Sequence, residues 1–317
     1  MKSLPFTSPW LLAPMEGVTE PCFRGLVLER NPAGALGGAF TEFLAVVGHA
    51  AKGGRIREHL GERRFAAPVG VQMMGSDPDL LAETARRAVE VGAPLVDLNF
   101  GCPTPGALRT CAGSALLREP AAIERIVAAV SRATGGTPTT AKIRAGFSDD
   151  LLLEDLARAA EQGGAAMLTV HGRTREEGYQ ESVDWRRIAR AVAVTTIPIC
   201  GNGGIRVHAD LERIRRETGC AYAMVGRAAL GDPWIFTGRK VGKEEAARFL
   251  LAYADALAAQ GGFTAAGSAA RVKQLLHFWT AGDLLGNDRR SWLRASEPSL
   301  LLDRLRAHAE GAVAVGS

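Results

Sequence analysis

A cysteine stands between a glycine and a proline in the segment Asn99-Phe100-Gly101-Cys102-Pro103. A lone cysteine is more often a small buried apolar residue than a reactive one. Glycine and proline on either side of Cys102 favour a loop tip, where a thiol can act as an acid or as a nucleophile. Cys111 is the rival candidate for this chemistry, whereas Cys22, Cys200 and Cys220 are interpreted as packing residues.

Lys142 and His171 are the next candidates, because both lie in largely apolar runs of the chain. A lysine in a buried strand is costly unless it is paired. One explanation for Lys142 is a structural salt bridge. The other is a cation beside a flavin ring, where it would stabilise the negative charge that develops near N1 and O2 on reduction. His171 and the glycine-rich turns further along the chain favour the flavin.

Eight short strand-like runs supply the elements that would position these groups. They are Trp10–Met15, Gly38–Phe43, Pro68–Met74, Leu95–Gly101, Thr139–Gly146, Met167–Gly172, Pro198–Gly204 and Ala221–Arg227. Such apolar runs are typical of strands buried on both faces of a parallel sheet. Helical patterns lie between them, among them Leu80–Val91, Ala121–Ala133 and Leu151–Gln162. Eight such units in about 230 residues predict an α/β fold, the (β/α)8 TIM barrel, with its active site at the carboxyl ends of the strands.

The predicted strand ends bring a set of polar side chains to one rim: Gln72, Asn99, Cys102, Lys142 and His171. One such residue would usually be a satisfied structural group. Five on one rim are not the composition of a hydrophobic core, so this rim is the predicted site.

The last two strand-like runs end in Gly201-Asn202-Gly203-Gly204 and in Gly226-Arg227. In this type of barrel the loops after strands 7 and 8, together with a helix N-terminus, form a recurrent phosphate site. Glycine lets backbone N–H groups approach a phosphate closely, and Arg227 would add a charged contact. A glycine-rich turn alone needs no ligand, but its position in the barrel predicts a phosphate.

The pattern changes after Trp234, where the strand signals stop and three helices follow: Glu244–Gln260, Ala269–Ala281 and Ser299–Glu310. We therefore predict a barrel domain over residues 1–237 and a small all-α domain over residues 238–317. Of the formal net charge of +4, most lies in the second part, which holds 11 Lys and Arg against 8 Asp and Glu. This mildly basic balance permits an anionic partner without requiring one.

The five cysteines are odd in number and widely spaced, and no C-x-x-C pair occurs. Neither a zinc site nor a disulfide framework is therefore predicted, and a reducing, cytoplasmic setting fits best. No run of about 18 apolar residues indicates a membrane span.

The motifs above resemble those of the tRNA-dihydrouridine synthase family. The resemblance runs from about Leu12 to Gln274. The matching segments are Pro14-Met15-Glu16-Gly17-Val18-Thr19, Asp97-Leu98-Asn99-Phe100-Gly101-Cys102-Pro103, Gly113-Ser114-Ala115-Leu116-Leu117, Lys142-Ile143-Arg144, Val170-His171-Gly172-Arg173-Thr174, Gly201-Asn202-Gly203-Gly204, Gly226-Arg227 and Arg271-Val272-Lys273-Gln274.

This resemblance implies an enzyme that uses FMN and NADPH to reduce uridine in the tRNA D-loop, with hydride going from flavin N5 to C6 and a proton from Cys102 to C5. The implied FMN contacts are Pro14, Met15 and Gln72 on the ring, Lys142 and His171 on its pyrimidine side, and Asn202, Gly203, Gly204, Gly226 and Arg227 at the phosphate. The implied contacts to the uracil or the tRNA are Asn99, Arg144, Arg173, Tyr179, Arg271 and Lys273. NADPH is expected to use the same flavin face, since no Rossmann fingerprint occurs. A monomer is expected.

The loop Thr104-Pro105-Gly106-Ala107-Leu108-Arg109 departs from the family pattern, in which lysine is frequent; only Arg109 keeps a positive charge. The segments that look most similar to the C-type bacterial subfamily, which acts on position sixteen of the D-loop, are Thr41-Glu42-Phe43, Leu98-Asn99-Phe100 and Gly172-Arg173-Thr174 with Gly178-Tyr179.

Two other functions remain open from the sequence. The first is an FMN barrel enzyme that acts on a free pyrimidine, such as a dihydroorotate or dihydropyrimidine dehydrogenase. A basic helical appendage serves no purpose in such an enzyme. The second is an RNA-binding protein without catalysis, against which Cys102, Lys142 and His171 argue.

Overall fold

The computed structural model describes residues 3–62, 64–178, 182–260, 263–294 and 298–311. Compact packing divides the chain into two units. The first comprises Met1–Pro21 and Ala33–Gly226, and the second comprises Cys22–Pro32 and Arg227–Ser317.

The first unit contains a closed parallel barrel. Among the described residues its strands are β1 (Trp10–Leu12), β2 (Gly38–Phe40), β3 (Leu44–Ala45), β4 (Val69–Met74), β5 (Val96–Asn99), β6 (Thr139–Arg144), β7 (Met167–His171), β8 (Ile199–Asn202) and β9 (Tyr222–Val225). The ring closes because β2 pairs with β4 and β1 pairs with β9. The predicted (β/α)8 barrel is therefore confirmed, and its strands are nearly all buried, as the apolar runs require.

The predicted second strand, Gly38–Phe43, is too long. β2 ends at Phe40, and the chain then bends before β3, a two-residue strand that pairs with Met73 and Met74 at the end of β4. Apolar periodicity marks which residues are buried, but it does not mark where backbone pairing stops.

The helices of the first unit lie between these strands: α2 (Gly53–Leu60), α3 (Pro78–Glu90), α4 (Pro105–Arg109), α5 (Pro120–Ala133), α6 (Leu153–Gln162), α7 (Arg186–Val194) and α8 (Ala209–Thr218). The start of α3 shows how the sequence encodes them. The Asp77 carboxylate accepts hydrogen bonds from the backbone N–H groups of Asp79 and Leu80, and Pro78 occupies the first helical position.

The second unit, in its described part, is helical throughout: α1 (Pro21–Arg30, of which all but the first residue belong to this unit), α9 (Arg227–Gly231), α10 (Lys243–Ala259), α11 (Ala265–Leu276), α12 (Arg289–Arg294) and α13 (Pro298–Ala309). The second of the three predicted C-terminal helices, Ala269–Ala281, is shifted, because the Thr264 hydroxyl caps α11 earlier by accepting from the Gly267 N–H. Buried aromatic rings form its core: Phe249 contacts Phe23, Trp234 and Trp279 with ring centroids 5.5–6.1 Å apart.

The sequence did not indicate that α1 packs with the C-terminal helices. The boundary between residues 237 and 238 stays a prediction. No helix in the described parts of the chain is long and apolar enough to cross a membrane.

Candidate active site

Parallel pairing brings the carboxyl ends of the barrel strands to one rim. Asn99 on β5 is in register with Lys142 on β6, and Arg144 on β6 is in register with His171 on β7. His171 is in turn in register with Asn202 on β8. The structure therefore brings together the polar residues that the sequence assigned to this rim.

Cys102 follows β5 and lies in a loop whose backbone is fully held. The Asn99 Oδ1 accepts hydrogen bonds from the N–H groups of Gly101 and Cys102, at 3.0 and 2.9 Å. The carbonyl of Gly101 accepts from Arg144 Nε, and the carbonyl of Cys102 accepts from the Ser114 N–H. The Cys102 side chain is 8% exposed, so the thiol has a defined and sheltered environment.

The Cys102 thiol has one close polar neighbour. Its Sγ lies 3.3 Å from the Thr104 Oγ1, which caps α4 by accepting from the Ala107 N–H. The hydroxyl hydrogen of Thr104 is thus available to point at the sulfur. Cys111, by contrast, is exposed and has a φ of 51°.

A chain of buried polar groups lies beneath this loop. Asn99 Nδ2 donates to Gln72 Oε1 at 2.8 Å, and Gln72 Nε2 donates to an Asp97 carboxylate oxygen at 2.7 Å. The Thr140 hydroxyl donates to the other Asp97 oxygen at 2.6 Å. Burial raises the pKa of Asp97 to about 6, while the bonds from Gln72 and Thr140 and the nearby Lys142 charge act in the opposite direction. Asn99 and Gln72 are thus engaged with each other and keep only part of their hydrogen-bonding capacity for a ligand.

Lys142 is partly buried and makes no hydrogen bond or ion pair within the described residues. Burial, together with the Arg144 charge, lowers the pKa of its ammonium to about 8, against the attraction of Asp97. The salt bridge that would explain this lysine structurally is therefore not formed, and its donors are available to a ligand.

His171 is 7% exposed and lies against the turn that follows β8. The Arg173 N–H donates to its Nδ1 at 3.3 Å, so in the neutral ring the hydrogen belongs on Nε2. A Cβ at Gly203 would lie 3.1 Å from that Nε2. Glycine at position 203 therefore leaves a space beside the imidazole that a side chain would narrow.

The turns after β8 and β9 expose backbone donors. The N–H groups of Gly203, Gly204 and Gly226 have no hydrogen-bond acceptor among the described residues. Gly203 and Gly204 have φ values of 99° and 77°, and the Trp185 indole donates to the Gly203 carbonyl at 2.9 Å. These glycines are half-buried, and neighbouring N–H groups without a protein acceptor have the form of an anion site.

Three further predicted residues of the first unit have structural partners. Asn202 Nδ2 donates to the Met224 carbonyl on the neighbouring strand. Arg144 is 3% exposed and links the Gly101 and Thr174 carbonyls, and Arg173 is 4% exposed. Arg144 therefore braces the loops that follow β5 and β7.

The remaining predicted contacts are less confined. Pro14 and Met15 follow β1 and are partly buried, and the Met15 sulfur would lie 3.6 Å from a Cβ at Gly226. Arg227, Arg271 and Lys273 belong to the second unit, where Arg271 lies over the Phe263 ring at 5.6 Å. Tyr179 lies outside the described residues.

Comparison with known proteins decides the family. Residues 11–265 match the model of the family described as Dihydrouridine synthase (Dus). This chain belongs to the dihydrouridine synthase family. Its rim residues are therefore those of a dihydrouridine synthase barrel.

Relatives with two names match the chain almost equally well. It is 39% identical over 232 residues to the tRNA-dihydrouridine(16) synthase of Cupriavidus necator, covering 71% of each chain. It is 40% identical over 227 residues to tRNA-dihydrouridine synthase B of Xanthomonas axonopodis pv. citri, covering 71% of this chain and 67% of the relative. Histamine dehydrogenase from Rhizobium sp. 4-9 has a TM-score of 0.58 at 12% identity, covering 86% of this chain and 49% of that one, and shares the fold alone.

Sequence reasoning gave no role to three residues of this candidate site: Asp97, Thr140 and Trp185. Asp97 and Thr140 lie in strands that read as apolar, and both are at most 1% exposed. Trp185 lies far from the glycine turn in sequence, so no local pattern links it to Gly203.

Proposed function

We propose that this protein reduces the C5–C6 double bond of uridines in the tRNA D-loop to dihydrouridine, with bound FMN and with NADPH as reductant. One observation supports this most. The Cys102 thiol, the Lys142 ammonium without a hydrogen-bond partner and the unpaired glycine N–H groups all lie at the carboxyl ends of one set of parallel strands. In this arrangement the glycine N–H groups, called the anion cradle below, suit a flavin phosphate. The ammonium suits a reduced flavin ring, and the thiol suits a base that must be protonated.

The chemistry of the donors fits FMN. The N–H groups of Gly203, Gly204 and Gly226 would hold the phosphate, with Asn202 and the Arg227 that follows Gly226 in the chain. Added Cβ atoms at Gly203 and Gly204 would lie 3.1 and 3.0 Å from His171 and Trp185, so side chains there would crowd the cradle. Glycine is what this approach of backbone to phosphate needs.

The ring of the cofactor would contact residues from several strands. Pro14, Met15 and Gln72 would line it, while Lys142 and the Nε2–H of His171 would donate to its pyrimidine side. A cation and a neutral donor at that position favour the reduced, anionic ring over the oxidised ring.

When bound, FMN supplies the hydride for uracil C6, which it obtains from NADPH. Cys102 transfers its thiol proton to C5, and the sulfur is left as a thiolate. The Thr104 hydroxyl, 3.3 Å from that sulfur, stabilises the thiolate by donating to it. Shelter of the thiol keeps bulk water from competing for this position.

The uracil edge would be held by Asn99, whose second Nδ2 hydrogen makes no hydrogen bond among the described residues. Arg144, Arg173 and Tyr179 would act near the substrate, and Arg271 and Lys273 would contact the RNA backbone. A base must leave its stack to reach a flavin at a barrel mouth, so base flipping is expected. Position sixteen as the modified site, a monomeric state and a cytoplasmic setting are further predictions.

The test is to incubate the purified protein with NADPH and an unmodified tRNA transcript and to map dihydrouridine by mass spectrometry. We expect a yellow protein that releases FMN on denaturation and forms dihydrouridine in the D-loop. Native tRNA purified from a synthase-deficient strain lacks dihydrouridine but carries the other modifications, so it covers the case in which prior modification is needed. Reduction of free pyrimidines with both tRNAs untouched would contradict the proposal.

A further inference from the structure

The hydrogen bonds beneath Cys102 form a continuous chain from the barrel interior to the catalytic loop. They run from the Thr140 hydroxyl to Asp97, from the Gln72 amide to Asp97, from the Asn99 amide to Gln72, and from the Gly101 and Cys102 N–H groups to Asn99. The five distances lie between 2.6 and 3.0 Å. None of the roles proposed above uses Asp97.

The groups at the two ends of this series of hydrogen bonds fix its donor-to-acceptor direction. The Asp97 carboxylate can only accept, and the Gly101 and Cys102 N–H groups can only donate. Between them, the Gln72 and Asn99 amides have one orientation that satisfies every link. If either amide turned over, two donors or two acceptors would face each other.

Burial makes this orientation costly to lose. Asp97 and Gln72 are each 1% exposed and Thr140 is fully buried, so water cannot replace a missing partner. Above pH 7 the carboxylate is ionised, because burial raises the pKa of Asp97 only to about 6. Gln72, Thr140 and Lys142 are the groups that face it from the adjacent strands.

We propose that Asp97 is a positioning residue whose carboxylate, acting through Gln72 and Asn99, fixes the conformation of residues 101–104 and thereby the direction of the Cys102 thiol. Its effect on catalysis rests on the proposed role of Cys102. Asp97 itself contacts neither substrate nor cofactor in this scheme. A merely space-filling Asp97 would instead affect folding, FMN content and every step of turnover together.

The direct measurement is the rate at which iodoacetamide alkylates Cys102 in the holoenzyme at pH 8, resolved by peptide mass spectrometry. Cys111 is exposed and lies in the same region of the chain, so it serves as the internal reference. Asp97→Ala removes the acceptor, and we expect the Cys102-to-Cys111 ratio to rise about tenfold, the size expected when a buried hydrogen-bonded link is lost. An unchanged ratio would overturn the proposal.

Asp97→Asn is the conservative partner. Its amide oxygen can still accept from Gln72, while its nitrogen donates to Thr140, whose hydroxyl can turn to accept. We expect its ratio to stay within about threefold of the wild type. Glu161→Ala is the matched control, since Glu161 also accepts three hydrogen bonds from a loop of the same unit, at Thr196 and Ile197, but has no link to Cys102. A rise in Glu161→Ala equal to that in Asp97→Ala would overturn the proposal.

A double-mutant cycle tests whether Asp97 acts through Gln72. In a Gln72→Met background the link is already broken, so Asp97→Ala should add nothing to the alkylation ratio. Additive effects would refute the relay. Should Asp97→Ala fail to fold, Gln72→Met alone carries the same expected tenfold rise, and an unchanged ratio there overturns the proposal equally.

Kinetics separate this role from a general defect. In Asp97→Ala we expect flavin reduction by NADPH to stay within about twofold, while uridine reduction by the pre-reduced holoenzyme falls about tenfold. Equal losses in both steps would contradict a positioning role. If the wild type reduces no tRNA at all, the proposed function fails, yet the alkylation ratios still decide whether Asp97 holds the Cys102 loop.

Discussion

Among the described residues, the Thr104 hydroxyl is the close polar neighbour of the Cys102 thiol. Because Thr104 Oγ1 already accepts from the Ala107 N–H, we expect its hydrogen to be given to the thiolate that the proposed proton transfer from Cys102 would leave. We expect Thr104→Val to slow single-turnover uridine reduction about tenfold, with FMN content unchanged. Thr104→Ser keeps the hydroxyl and should stay near the wild-type rate. Equal rates for the valine and serine variants would exclude this role.

We expect the Lys142 ammonium to make FMN binding pH-dependent. Its pKa is lowered to about 8 in the protein, so the cation is mostly present at pH 7 and mostly lost at pH 9. Loss of the cation removes attraction for an anionic cofactor, so FMN affinity should weaken as pH rises through this window, by up to about tenfold per pH unit. Fluorescence titration of the apoprotein measures it. Lys142→Met should bind more weakly with little pH dependence; an unchanged slope in that variant would contradict the role.

Residue types and their order predicted much of this rim, but not its supporting groups. Cys102, Lys142 and His171 carry chemistry that an apolar run does not need, and they were identifiable for that reason. Asp97 and Thr140 lie on buried strands, where the sequence does not show which polar groups on neighbouring strands face each other. The sequence also does not show that Lys142 has no salt-bridge partner among the described residues. Nor does it show that Gly203 lies beside His171, which is distant in sequence.

The turn after β8 combines backbone strain with a close contact. Gly204 has a φ of 77°, and a Cβ there would lie 3.0 Å from the Trp185 indole nitrogen. We expect Gly204→Ala to weaken FMN binding at least tenfold. An alanine in this conformation costs about 1–2 kcal/mol and would displace the backbone N–H groups that are proposed to hold the phosphate. Isothermal titration with FMN measures the change.

Gly219→Ala is the matched control for this turn. Gly219 ends α8 with a φ of 75°, and the nearest atom to an added Cβ, on Val192, is 3.6 Å away. The strain is therefore similar but remote from the cradle. Comparable losses of FMN affinity in the two variants would show that the turn after β8 has no special part in binding.

Strands and helices were predictable where a local sequence pattern defines them. The barrel strands follow from apolar runs, and α3 follows from Asp77 and Pro78. The two-residue β3 was not predictable, because it forms only when β4 lies beside it. The shift of α11 arose from an N-cap, Thr264, that the apolar pattern does not reveal.

Segments that pack together in the second unit are far apart in the sequence. The α1 helix comes early, but residues 22–32 belong to the second unit, where Phe23 contacts Phe249 and Tyr253. Phe23 is fully buried, so Phe23→Ala should lower the free energy of unfolding by about 3–5 kcal/mol. Phe278→Ala is the control, with a ring 38% exposed and a change expected below about 1 kcal/mol.

Urea unfolding measures both variants. The same reasoning predicts that a fragment of residues 1–237 leaves Phe23 without its ring partners and is less stable than the full chain. A fragment that unfolds at the same urea concentration as the full chain would contradict it and support residues 1–237 as an independent domain.

Formation of dihydrouridine with Cys102 as the acid is tested most directly by one comparison. Wild type, Cys102→Ala and Cys111→Ala, each loaded with FMN, are incubated with NADPH and native tRNA from a synthase-deficient strain, which lacks dihydrouridine, and dihydrouridine is mapped by mass spectrometry. We expect wild type and Cys111→Ala to modify the same D-loop uridine, at position sixteen, while Cys102→Ala oxidises NADPH but leaves that uridine unreduced. Dihydrouridine formed at the wild-type rate by Cys102→Ala, or by no variant including the wild type, would contradict the assignment.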